Sequence, residues 1–134
     1  MDTLVKKSTA VDVIKQAYAA FGRGDIAAIA AMADDKIDWQ FRGTKRVPYT
    51  GKFKKADIVK WFADVAAHDD VQVFEPREFI AAGDHVTVLG WERCRALPSG
   101  KVFECEWVHV FTVKNGKITR LWGIYDTEAA AAAR

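Results

Sequence analysis

The stretch Cys105-Glu106-Trp107-Val108-His109-Val110-Phe111 has the alternating pattern of a β-strand that is buried on one face. Counting by twos, one face carries Phe103, Cys105, Trp107, His109, Phe111 and Val113. The opposite face carries Glu104, Glu106, Val108, Val110 and Thr112. His109 is therefore a polar residue near the middle of an apolar face. It is either a core histidine that bonds to the backbone or a residue that lines a pocket.

The composition indicates a globular protein of ordinary size. The chain has 134 residues, 50% of them hydrophobic, which predicts one domain over residues 1–134 with a single core. The net charge of +2 is spread along the chain and no nucleic-acid-binding motif occurs, so nucleic acid is not expected as a partner. Since neither a long apolar run nor a signal-peptide pattern is found, we expect a cytoplasmic protein with no membrane partner.

Cysteine and histidine spacing argues against disulfide and metal chemistry. Cys94 and Cys105 flank a predicted hairpin turn, and alternation is expected to put them on opposite faces of the sheet, which disfavours a disulfide. The three histidines lie far apart, and no CxxC or HExxH spacing occurs. We therefore expect no metal site, and nothing in the sequence implies a cofactor.

Periodicity predicts three helices and a series of strands. The helices are expected over residues 10–21, over residues 25–33 with Asp25 as N-cap, and over residues 56–67. A strand at 37–41 precedes the third helix, and long strand-like runs follow it at 71–81, 85–97, 101–113 and 117–126. The alanine-rich tail is predicted to be a short helix or a frayed end without a function. Together these elements predict an α+β fold, in which a curved antiparallel sheet wraps around three helices as a cone with a pocket at its mouth.

Turn residues predict the pairing of the strands. If Pro98 and Ser99 centre their hairpin, Val88 opposes His109, Gly90 opposes Trp107, and Glu92 opposes Cys105. The last hairpin is left open between two registers. A two-residue Asn115-Gly116 turn brings Trp122 opposite His109, whereas a three-residue loop with Gly116 in a bulge brings Leu121 there.

Several segments together resemble SnoaL-like proteins: QAYAAFGRGD, PYTGKFKKADIVKWF, PREFIAAGDHVTVLG, RALPSGK and FTVKNGKITRLWGIYDT. These proteins belong to the superfamily of nuclear transport factor 2, ketosteroid isomerase and limonene epoxide hydrolase. The resemblance extends from about Val11 to Thr127 and implies the cone-shaped fold. It favours the bulged last hairpin, with Leu121, Gly123 and Tyr125 facing inward and Trp122 outward. It does not fix the chemistry, because this fold carries unrelated functions.

The resemblance to the isomerases implies roles for two residues that could bind an oxyanion. Tyr18 matches a tyrosine that donates to a developing enolate, and His109 matches a protonated aspartate that is the second donor. The general base falls at about Gln40, which cannot take a proton at neutral pH, and Asp38 on the same face is a candidate replacement. Equally, Tyr18 could be a core residue with a satisfied hydroxyl, and Asp38 a carboxylate at the solvated end of its strand.

The resemblance to the hydrolases and cyclases implies less. Their last-strand aspartate matches Gly123, and the hydrolase's neighbouring Arg and Asp match Gly90 and Glu92. Only Glu92 retains an acid, and Asp126 lies three residues from the matching position, on the opposite face. Epoxide hydrolysis and the usual cyclase mechanism are therefore not expected.

Three functions remain as hypotheses. The first is isomerase-like proton transfer next to a carbonyl, in which Asp38 or Glu92 takes the proton and Tyr18 and His109 stabilise the enolate. Its predicted ligand-binding residues are Trp39, Gln40, Tyr49, Trp61, Phe62, Phe79, Gly90, Trp107, Gly123 and Tyr125. The second is a non-catalytic binding protein for a hydrophobic metabolite, and the third is a protein-interaction module. The outer sheet face, with Leu89, Val108, Val110 and Trp122, predicts a homodimer.

Overall fold

The computed structural model describes residues 9–134. Its helices are α1 (Ala10–Gly22), α2 (Ile26–Met32), α3 (Ile58–His68) and α4 (Thr127–Ala132), and a 3-10 turn at Lys55–Asp57 precedes α3. Its strands are β1 (Ala33–Arg42), β2 (Gly51–Phe53), β3 (Asp69–Ala82), β4 (His85–Ala96), β5 (Val102–Lys114) and β6 (Lys117–Tyr125). The predicted α+β architecture is confirmed, and the unpredicted β2 is a three-residue strand inside an expected loop.

Local capping explains where the first two helices begin. The Thr9 side chain accepts a hydrogen bond from the Asp12 backbone N–H at 3.2 Å, and the Asp12 carboxylate accepts from the Thr9 N–H at 3.0 Å. This reciprocal pair satisfies two backbone donors that a helix N-terminus otherwise leaves free. Asp25 caps α2 in the same manner, by accepting from the Ala28 N–H.

The six strands form one curved, unclosed sheet in the order β2-β1-β6-β5-β4-β3. All neighbours are antiparallel except β1 and β6, so the predicted antiparallel sheet includes one parallel pair. The register of β3 against β4 shifts between Val71 and Val73 and again between Pro76 and Glu78. Such bulges bend a strand, and here they help the sheet to curve around the helices.

The hairpin of β4 and β5 has the predicted register. Val88 pairs with His109, Gly90 with Trp107, and Glu92 with Cys105. Cys94 pairs with Phe103, which lies two residues from Cys105, so the two cysteines share the inner face and the opposite-face prediction is wrong. Both cysteines are buried and free.

The last hairpin follows neither of the two predicted registers. Asn115 and Gly116 form a two-residue turn with φ angles of 53° and 76°, values that suit the left-handed turns of hairpins. Further along, Thr112 pairs with Arg120 and Val113 with Ile118, so one extra residue bulges from β6. Gly123 therefore lies opposite His109. The shift keeps Leu121, Gly123 and Tyr125 on the inner face, as the bulged alternative predicts.

Two inner-face glycines are there because aromatic rings lie against the backbone. A Cβ atom added to Gly90 would stand 2.2 Å from the Trp107 ring, and one added to Gly123 would stand 2.3 Å from the Phe41 ring. Any larger residue would have to displace a buried ring. The position that matches the last-strand aspartate of the hydrolases and cyclases is therefore covered by Phe41.

Candidate functional site

A cavity of about 120 Å³ lies between the helices and the inner face of the sheet. An engineered protein cavity of about 150 Å³ binds benzene, so this volume suits a ligand with one aromatic ring. Of the predicted site residues, nine line the cavity: Tyr18, Trp39, Tyr49, Trp61, Phe62, Glu92, Trp107, His109 and Tyr125. Five do not line it: Asp38, Gln40, Phe79, Gly90 and Gly123.

Asp38 and Gln40 lie on the outer face of the sheet, contrary to the prediction. Trp39 and Phe41 are buried on the inner face, so the residues that alternate with them point outward. The Asp38 carboxylate accepts hydrogen bonds from Gln40 Nε2 at 2.7 Å and from Trp122 Nε1 at 2.9 Å. Slight burial raises the pKa of Asp38, but these hydrogen bonds, together with the charges of Lys52 and Arg42, hold the pKa below the usual value. Asp38 is thus an ionised carboxylate away from the cavity.

At one end of the cavity, Tyr18 from α1 meets His109 from β5. The Tyr18 hydroxyl lies 2.8 Å from His109 Nδ1, and the Trp107 ring stacks on the imidazole with 4.1 Å between centroids. His109 is 9% exposed, and burial lowers its pKa to about 3, so the imidazole is neutral at physiological pH. Burial likewise raises the pKa of the Tyr18 hydroxyl. His109 is therefore bonded to a side chain rather than to the backbone.

This neutral pair retains one hydrogen-bond donor whichever way the proton is arranged. If the Tyr18 hydroxyl donates to Nδ1, the imidazole proton is on Nε2, for which no partner is found among residues 9–134. If Nδ1 donates instead, the Tyr18 proton is left over. Both residues line the cavity, so the spare donor is positioned to meet a bound oxygen.

The other end of the cavity contains a buried ion pair. Asp69 is 3% exposed and receives two hydrogen bonds from Arg134, at 2.6 and 3.1 Å, together with one from the Tyr49 hydroxyl. Sequence reasoning missed both members of this pair. Asp69 lies where α3 passes into β3, and Arg134 follows the alanine-rich helix α4. The only sequence feature that could have indicated Arg134 is its position as a long cationic side chain after a run of alanines.

Glu92 lies at the same end and contacts only weak donors. Its carboxylate oxygens are 3.5 Å from Cys105 Sγ and 3.6 Å from Cys94 Sγ. Burial raises the pKa of Glu92 above its usual value, and the thiol hydrogen bonds only partly offset this effect. The same burial raises the pKa of both thiols, so neither cysteine is a ready nucleophile.

The two polar ends are separated along the strands. Glu92 lies opposite Cys105, which is four residues from His109 on β5, a span of about 13 Å between Cα atoms. The Trp107 ring occupies the intervening position on the inner face. Glu92 and His109 therefore do not converge on one reacting atom.

The described part of the chain offers neither a metal-binding cluster nor a membrane-spanning helix. Over residues 9–134, no group of three or more His, Cys, Asp and Glu side chains could hold a metal ion. In the same range no helix combines the length and the apolar character needed to cross a membrane.

Comparison with known proteins gives consistent matches. The SnoaL-like domain profile matches residues 14–121. The uncharacterized protein Rv0034 of Mycobacterium tuberculosis is 31% identical over 121 residues, which cover 90% of this chain and 91% of that protein. An NTF2-like protein from Burkholderia thailandensis superposes with a TM-score of 0.87 at 29% identity, covering 95% of this chain and 98% of the other. TerC, co-crystallized with polyporic acid, superposes with a TM-score of 0.80 at 29% identity, covering 94% and 98%.

Proposed function

The chain belongs to the SnoaL-like domain family, and on that premise we propose that it binds a small, largely aromatic molecule that carries a carbonyl or phenolic oxygen. The observation that carries this proposal is the neutral Tyr18–His109 pair, which leaves one donor at an otherwise aromatic end of the cavity. The oxygen of the ligand accepts from that donor, and its ring packs among the aromatic walls.

Binding is favoured over turnover by the position of the acids. A proton-transfer site needs a base within hydrogen-bond reach of the carbon next to the bound carbonyl. Asp38 is on the outer face, and Glu92 is about 13 Å along the sheet from His109. A ligand held by Tyr18 and His109 is therefore oriented without an adjacent base.

The test is a titration with acetophenone, a one-ring ketone, and separately with polyporic acid, the ligand named for TerC. We expect saturable quenching of tryptophan fluorescence, because Trp39, Trp61 and Trp107 line the cavity. Tyr18→Phe keeps the ring but removes the hydroxyl that either donates to the ligand itself or fixes the imidazole proton on Nε2, so it should weaken acetophenone binding about tenfold. Lys60→Ala, on the exposed face of α3, is the matched control and should bind as the wild type does.

Isomerase-like proton transfer is the second candidate function, and Glu92 is the feature that favours it. A buried acid whose pKa is raised toward neutrality is a suitable general base. Such an enzyme would convert 3-cyclohexen-1-one to the conjugated ketone by moving a proton from the carbon between carbonyl and alkene to the far alkene carbon. Isomerisation that the wild type catalyses and Glu92→Gln does not would establish this activity. If the wild type isomerises the ketone no faster than buffer does, binding without catalysis is the remaining function.

The outer face of the sheet supports a proposal of homodimerisation. Leu89, Val108, Val110 and Trp122 share this face and are only partly buried in the single chain, and Ile124 beside them is 45% exposed. A second copy of the chain would cover this apolar surface. Light scattering should give the mass of two chains, and Val110→Lys should give the mass of one without loss of helical or sheet content.

A further inference from the structure

Glu92 is an acidic side chain at the charged end of the cavity whose hydrogen-bond partners are only two thiols. We propose that Glu92 determines specificity, by exchanging hydrogen bonds with an uncharged hydroxyl group at the end of the ligand remote from Tyr18 and His109. This inference rests on the proposed function, because it concerns a ligand already held at the Tyr18–His109 end.

The geometry leaves the Glu92 carboxyl free for a ligand. It lines the cavity, and its hydrogen-bond partners among residues 9–134 are the thiols of Cys94 and Cys105, at 3.6 and 3.5 Å. A thiol is a weak donor, so two such contacts leave most of the carboxyl's capacity unused. A buried polar group in this condition gains from a stronger partner.

Its neighbour Asp69 does not compete for the same ligand. Both Asp69 oxygens already accept from Arg134, and one also accepts from Tyr49. Asp69 is therefore fully partnered, but its negative charge remains close to Glu92 and contributes to the raised pKa of that residue. A ligand with a second negative charge at this end would be repelled by Asp69 and would be costly to desolvate.

A carboxyl group accepts a hydrogen bond from a hydroxyl group, and in its protonated form it also donates one. Tyr125 adds a second candidate contact, because its hydroxyl is buried without a well-formed hydrogen bond and its residue lines the same cavity. The ligand class that follows is a one-ring aromatic ketone that carries a hydroxyl group opposite the carbonyl. The ring would lie beside Trp107, between the two polar ends.

Three probes that differ only at the remote group test this inference: acetophenone, 4-hydroxyacetophenone and 4-acetylbenzoate. Calorimetry or fluorescence would measure their affinities for the wild type and for the variants Glu92→Gln and Glu92→Leu. We expect 4-hydroxyacetophenone to bind about tenfold more tightly than acetophenone, and 4-acetylbenzoate to bind more weakly than either. Glu92→Gln should keep most of the tenfold preference, because an amide also donates and accepts.

Glu92→Leu is the decisive variant, since in it the affinities for 4-hydroxyacetophenone and acetophenone should agree within about twofold. A thermal melt and near-UV circular dichroism check that both variants fold. If the hydroxyl preference survives in Glu92→Leu, or if 4-acetylbenzoate binds best, the role of Glu92 is overturned while the proposed function stands. If none of the probes binds in a manner that Tyr18→Phe weakens, the proposed function fails and the inference fails with it.

Discussion

The two ends of the cavity differ in how their buried polar side chains are stabilised. At one end, Tyr18 and His109 bond to each other, carry no charge, and are surrounded by rings such as Trp107. At the other end, Asp69 pairs with Arg134, and burial raises the pKa of Glu92 beside them. Burial thus disfavours the charged form of both residues, which lowers the pKa of His109 and raises the pKa of Glu92. The two ends should therefore respond in opposite directions when the pH changes.

The charged end should be the more fragile one. Arg134→Met leaves the Asp69 carboxylate buried without its cation, and breaking a buried pair in this way costs about 3–5 kcal/mol. Asp69 and Arg134 side chains are 1% and 17% exposed. Arg46→Met removes an ion pair to Glu128 in α4, the helix that precedes Arg134, but at 62% and 74% exposure this change should cost less than about 1 kcal/mol. Urea unfolding measures the unfolding free energy of the two variants. Equal losses of stability would contradict the expectation that the charged end is the more fragile one.

The histidine end should lose stability in acid. The pKa of His109 is about 3 in the folded chain against 6.5 for a free histidine, so the unfolded chain binds the additional proton. This contribution is fully present above pH 6.5 and falls by up to about 1.4 kcal/mol per pH unit down to pH 3. Unfolding free energies measured across that window should fall less steeply for His109→Leu than for the wild type. Parallel curves would mean that His109 titrates normally.

The Tyr18–His109 hydrogen bond should contribute measurably to folding. Tyr18→Phe leaves the buried Nδ1 of His109 without its hydrogen-bond partner, which should lower the free energy of unfolding by about 1–3 kcal/mol. Tyr125→Phe removes a hydroxyl that lacks a well-formed partner, so it should cost less than about 0.5 kcal/mol or even stabilise the protein. The difference between the two midpoints of denaturation isolates the hydrogen bond. A larger loss of stability for Tyr125→Phe than for Tyr18→Phe would mean that the Tyr125 hydroxyl makes the stronger hydrogen bond.

Glu92 should show the opposite pH dependence to His109. Because its folded pKa is raised, the folded chain holds a proton that the unfolded chain releases above about pH 4.5. The wild type therefore loses stability as the pH rises through that range, and Glu92→Gln does not. We expect the variant to be the more stable protein at pH 8 and the advantage to disappear near pH 4. An advantage that is independent of pH would instead indicate a packing effect.

The smallest effect is expected outside the cavity. Asp38→Asn changes an exposed carboxylate on the outer face and should alter stability by less than about 0.5 kcal/mol. Its affinity for acetophenone should equal that of the wild type. A tenfold loss of affinity for acetophenone would mean that Asp38 takes part in the binding site.

Alternation within one strand predicted the inner-face neighbours of His109 correctly, because a two-residue period is a local property. It failed for Asp38. The two-residue period was right, but nothing in the sequence indicated which of the two alternating sets of β1 side chains faces inward. It also failed for the register of the last hairpin, because an extra residue bulges from β6 beyond a regular turn. The Asp69–Arg134 pair joins residues 65 positions apart, which no local pattern reveals.

The central claim is that a neutral Tyr18–His109 pair receives the ligand's oxygen. The most direct measurement is the ¹⁵N resonance of the His109 imidazole at pH 7 during a titration with 4-hydroxyacetophenone. The account predicts a neutral ring throughout, with a saturable change in the imidazole resonances whose midpoint moves to about tenfold higher concentration in Tyr18→Phe. A charged imidazole, or a His109 resonance that does not move while the tryptophan fluorescence saturates, would contradict it.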